Sequence, residues 1–123
     1  MIHGLRRGLE HSAAAILALL LSGCAEGGGR YFSVAREPGA DSVVIHLVPA
    51  PHVRINARLA PVLELPDGRV LRFSGTALTA DSSYFTAPPV LAVRGSPRGM
   101  IRASVCPEGD SVCRVVEMVS GER

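Results

Sequence analysis

Met100-Ile101-Arg102-Ala103-Ser104-Val105-Cys106 and Val112-Cys113-Arg114-Val115-Val116-Glu117-Met118-Val119 decide the fold of this chain. Between them lies Pro107-Glu108-Gly109-Asp110-Ser111, a cluster of turn-forming residues. Both runs alternate at a period of two, so they read as the arms of a β-hairpin. Setting Cys106 opposite Cys113 places Ser104 opposite Val115 and Arg102 opposite Glu117 on one side. The other side then pairs Val105 with Arg114, Ala103 with Val116 and Ile101 with Met118. One face is mostly apolar; the other carries an Arg–Glu pair and the two sulfurs. This register centres Gly109-Asp110 as a two-residue turn, with glycine first as a II′ turn requires. Opposed residues lie about 4.5–5.5 Å apart at Cα, within reach of a disulfide.

The rest of the mature chain agrees with β structure. Ser42–Val48 is rich in β-branched residues and bounded by Asp41 and Pro49. Val62–Leu65 and Arg69–Phe73 flank Pro66-Asp67-Gly68, a hairpin signal. Val90–Arg94 follows Pro88-Pro89 and precedes the turn-rich Gly95–Gly99. Nine prolines and no helical periodicity argue against helices. The expected class is all-β, a small β-sandwich closed by a disulfide-linked C-terminal hairpin.

The first 23 residues read as an address. Arg6-Arg7 precedes the apolar run Ala13–Leu21, whose nine residues rise only about 14 Å as a helix. That is too short for a bilayer core of roughly 30 Å, so the run is a signal-peptide core. Leu21-Ser22-Gly23-Cys24 resembles a bacterial lipobox, which implies lipid on the Cys24 thiol and cleavage before it. The alternatives are a plain secretory signal and, from Arg6-Arg7, a twin-arginine signal. Cleavage leaves 100 of the 123 residues, anchored stably if doubly acylated. The expected location is the bacterial cell envelope, outside the cytoplasm, at the outer membrane in a Gram-negative cell. Residues 24–40 then form a glycine-rich tether, in which Tyr31–Val34 is a candidate edge strand. Residues 41–119 form the domain and 120–123 a tail.

Composition narrows the chemistry. All 13 basic residues are arginine, so Schiff-base chemistry and a P-loop lysine are excluded. A net charge of +2 and the absence of tryptophan argue against a nucleic-acid partner. No Gly-x-Ser-x-Gly elbow or Ser-His-Asp order marks a hydrolase, and nothing marks a transferase. His46 and His52 lack the neighbours of a zinc site; His46 reads as half-buried and satisfied, His52 as structural. No cofactor or metal is expected. With Cys24 on lipid, Cys106 and Cys113 form an even pair in an oxidising compartment. The pair reads either as a staple or as a redox couple, with Arg102 or Arg114 favouring a thiolate.

Pro51-His52-Val53-Arg54-Ile55-Asn56-Ala57-Arg58-Leu59-Ala60-Pro61 and the paired cysteines resemble the N-terminal periplasmic domain of the thiol:disulfide interchange protein DsbD. The resemblance implies an immunoglobulin-like sandwich whose cysteines relay electrons between a membrane partner and periplasmic thiol–disulfide proteins. It also implies an aromatic cap over the cysteines, for which Tyr84-Phe85 stands in the right stretch. Six residues separate the cysteines here, one more than the family spacing. The only enzymatic activity open to such a chain is thiol–disulfide exchange. The alternative is a non-enzymatic, disulfide-stapled envelope lipoprotein that binds a partner protein.

Overall fold

The computed structural model describes residues 28–95 and 97–120. The signal segment, Cys24 and residues 121–123 lie outside the described residues. The strands are β1 (Phe32–Pro38), β2 (Ser42–Pro49), β3 (Val53–Ile55), β4 (Val62–Glu64), β5 (Val70–Arg72), β6 (Val90–Arg94), β7 (Gly99–Pro107) and β8 (Arg114–Ser120). No helix occurs among the described residues. The fold is a small β-sandwich, as the alternation of the hairpin arms implies.

One sheet has the order β1-β2-β6. The other is built on β7, the longest strand, whose register with β8 runs from Gly99↔Ser120 to Val105↔Arg114. Every hairpin pair expected from the sequence is present, including Arg102↔Glu117 and Ile101↔Met118. The opposite edge of β7 is shared: β4 pairs along its first half and β3 along its last. β5 then extends the sheet beyond β4.

The core lies where the facing sides meet. Val43, Ile45 and Leu47 of β2 and Phe32 of β1 oppose Ile101, Ala103 and Val105 of β7, Ile55 of β3, Leu63 of β4 and Val116 of β8. In β2 these alternate with Val44, His46 and Val48 on the outer face, the period-two burial that specifies one register. The Leu65–Arg69 hairpin closes as expected, with Gly68 at φ 91° donating its N–H to the Leu65 carbonyl at 2.9 Å.

Three features depart from the sequence reading. Strand β1 occupies Phe32–Pro38, so the folded unit begins inside the segment expected as tether, ahead of Asp41. Ser120, expected in the tail, ends β8. The hairpin tip is not a two-residue turn on Gly109-Asp110. The Asp110 N–H donates to the Pro107 carbonyl at 3.2 Å, and Gly109 has φ 87°. Glycine is therefore third in the turn Pro107–Asp110, where a left-handed φ is required.

Candidate functional site

The Cys106–Cys113 disulfide closes the base of the hairpin tip, one step beyond the last β7–β8 pair. Its Cα atoms are 4.2 Å apart, near the short spacing of a non-hydrogen-bonded cross-strand pair. The two halves differ in environment. Cys106 is only 4 % exposed, because β3 lies along the edge of β7 that an isolated hairpin would leave open. Cys113 is exposed. The expectation that both sulfurs lie on an open polar face holds for Cys113 alone; Cys106 and Ser104 are buried.

Both flanks of the tip are tied down. On one side the Glu108 N–H donates to the His52 carbonyl at 2.8 Å, and the Glu108 carboxylate meets His52 Nδ1 at 2.7 Å. His52 adopts φ 63° to make this reach, a left-handed conformation that histidine tolerates better than most residues. On the other side Arg114 donates to Asp110 at 3.2 Å and to the Tyr31 hydroxyl at 3.3 Å. Asp110, Ser111, Val112 and Arg114, which flank Cys113, line a shallow hollow of about 230 Å³.

Both arginines expected to favour a thiolate have other partners. Arg102 is held by Glu117 at 2.8 Å and Glu64 at 2.9 Å. Hydrogen bonding to Glu117, then the charge of Glu64, raises its pKa above the ordinary arginine value. Arg114 is engaged with Asp110 and Tyr31. The arginine directly across from Cys106 is Arg54 of β3, exposed and without an ion pair among the described residues. Its guanidinium lies 4.2 Å from the centroid of the Tyr84 ring, a cation–π contact. The sequence signal for Arg54 was the alternation Val53-Arg54-Ile55, whose partner strand is invisible without the fold.

Tyr84 and Phe85 take opposite roles. The bridge Asn56↔Tyr84 puts Tyr84 on the outer face of the sheet, which Arg54 and Cys106 share. Phe85 turns inward against the core, its N–H donating to the Ile55 carbonyl at 3.0 Å. Their loop is fixed by Asp81, which accepts from the Thr79 hydroxyl at 2.7 Å and the Ser83 N–H at 3.1 Å. These bonds, the Thr79 hydroxyl first, hold the Asp81 carboxyl below its ordinary value.

His46 sits on β2, in the other sheet, and meets the Glu37 carboxylate at 2.6 Å with its side chain partly covered. No cluster of three or more potential metal ligands occurs among the described residues. Comparison with protein-family models, with curated proteins and with solved structures finds no match.

Proposed function

We propose that this chain is a lipid-anchored extracytoplasmic β-sandwich that relays electrons through Cys106 and Cys113, with a thiol–disulfide protein of the cell envelope as its partner. The observation that carries this reading is the asymmetry of the bridge: one sulfur on a solvent-facing tip, the other covered. A partner thiolate attacks Cys113 Sγ. The Cys106–Cys113 bond breaks, its electron pair leaves on Cys106 Sγ, and a mixed disulfide forms at Cys113. The partner's second thiolate then attacks its own sulfur in that mixed disulfide and releases the Cys113 thiolate. This chain ends as a dithiol after taking up two protons, and the partner ends as a disulfide. The reverse sequence hands the electrons on.

Arg54 supports the reading because a cation across the strand pair favours the departing Cys106 thiolate. Tyr84, on the same face, holds that cation. The measured reduction potential separates relay from staple. A relay sits between about −120 and −270 mV, and a structural bridge below about −300 mV. A potential in the lower range makes the chain a stapled partner-binding lipoprotein. For a relay, Arg54→Gln also slows reduction by a dithiol several-fold while leaving the melting temperature unchanged.

A further inference from the structure

We infer that the edge of the sandwich formed by β8 and the hairpin tip lies against the bilayer, with Val112, Val115 and Val119 entering the headgroup layer. The inference rests on the reading of Cys24 as the lipid anchor. Three residues, Ala25, Glu26 and Gly27, separate Cys24 from Gly28. At full extension a chain spans at most about 3.6 Å per residue. The lipidated residue is thus within about 14 Å of Gly28 in any conformation.

Gly28 is seated on β8. A Cβ there would lie 2.8 Å from the Glu117 carbonyl oxygen and 3.0 Å from Met118 Cβ, so backbone meets strand with no room between. The following turn is closed by the Tyr31 and Phe32 N–H groups, both donating to the Gly28 carbonyl. The anchor therefore leaves the domain at the β8 edge, and its length keeps that edge near the membrane.

The surface presented there fits a lipid interface. Val112, Val115 and Val119 are 68 %, 60 % and 55 % exposed, half of the large apolar residues that are exposed in the described structure. Val115 and Val119 share the outer face of β8, and Glu117 between them is ion-paired with Arg102, which Glu64 shares. Arg30, exposed in the turn after Gly28, adds a cation for anionic headgroups. Val48, 37 % exposed, lies on the outer face of β2 in the opposite sheet, and packed sheets stand about 10 Å apart.

The chain contains no tryptophan, so single-tryptophan variants report without background. The test uses the full-length protein, processed in a bacterial host and reconstituted in phosphatidylglycerol-containing vesicles with lipids brominated high on the acyl chains. Val115→Trp and Val119→Trp should each lose about half or more of their fluorescence, as expected for residues about 5–10 Å into the interface. Val48→Trp should lose little. Equal quenching at all three positions, or none at any, overturns the inference. A blue shift that follows protein concentration and is insensitive to bromolipid marks a second copy on this face, and also overturns it. Mass spectrometry of the Cys24 peptide reads the anchor separately. Without acyl mass the anchor and the docking fall together; acyl mass with unquenched tryptophans refutes the docking alone.

Discussion

Reduction of the disulfide should weaken the domain without unfolding it. The bridge joins residues seven apart in sequence, closing a loop of eight residues. In the chain-entropy account, closing so short a loop constrains the unfolded chain by about 2.5 kcal/mol. On the folded side little is lost. The seven β7–β8 pairs all lie outside the loop, and β3 and β4 hold the other edge of β7 regardless of the sulfurs. The tip contacts His52–Glu108 and Arg114–Asp110 are exposed polar contacts, each contributing about 0–1 kcal/mol. For a domain of this size 1 kcal/mol moves the melting temperature by about 4–8 °C. Reduced protein should therefore melt about 10–20 °C below oxidised protein, still cooperatively and still folded at room temperature. Far-ultraviolet circular dichroism with and without dithiothreitol reads this directly, and Cys106→Ala/Cys113→Ser should reproduce the reduced curve. Unfolding at 25 °C on reduction would refute the reasoning. It would mean that the bridge organises the β7 sheet rather than the tip, and a relay whose dithiol form does not stay folded cannot work.

Ile101 of β7 is fully buried in the core, so Ile101→Ala should cost about 2–5 kcal/mol in urea denaturation. At Gly99 a Cβ would run into the Glu64 backbone carbonyl across the strand pair; Gly99→Ala should cost about 1–3 kcal/mol, while Gly29→Ala, with open space around it, should change stability by less than about 0.5 kcal/mol. Asp81 has a folded pKa below its unfolded value, so its contribution is present above the unfolded pKa and is lost as pH falls through the folded one. Hydrogen exchange at the Thr79 and Tyr84 amides should accelerate, after correction for intrinsic rates, on acidification through that window, and Asp81→Asn should abolish the dependence.

The hairpin register was legible because three signals coincide in Met100–Val119: alternation, an opposed cysteine pair and an opposed Arg–Glu pair. A slip by one residue would break all three at once. The start of the domain was not legible. Residues Arg36-Glu37-Pro38 look like linker, but an edge strand needs an apolar face on one side only, and β1 supplies it with Phe32 and Val34. Proline at its end is tolerated because an edge strand leaves one row of N–H groups unpaired. The burial of Cys106 was not legible either. A hairpin read alone has an open edge on β7; the short β3 fills that edge and brings Arg54 to Cys106. The three residues of Val53–Ile55 carry too little periodicity to announce a strand.

The two proposals constrain each other through β8. That strand begins next to Cys113 and carries Val115 and Val119 along its outer face, so an edge held at the membrane holds the exposed sulfur close to it. At about 3.4 Å per residue, Cys113 stands roughly 14–17 Å along the strand from the Glu117–Met118 level where Gly28 is seated. An attacking thiolate must approach Cys113 in line with the Cys106–Cys113 bond. Continued past Cys113, that line leaves the sheet at the start of β8, where the hollow lined by Asp110, Ser111, Val112 and Arg114 opens. A partner that reduces this bridge therefore presents its thiol at the membrane surface, and charge reversal at the tip tests that approach. Asp110→Arg should change the reduction rate by a membrane-bound dithiol partner and leave the rate with dithiothreitol nearly unchanged, because a small reagent needs no matched surface. Equal effects on both reagents would place the cause in the bridge itself and remove the argument for a tip-directed partner.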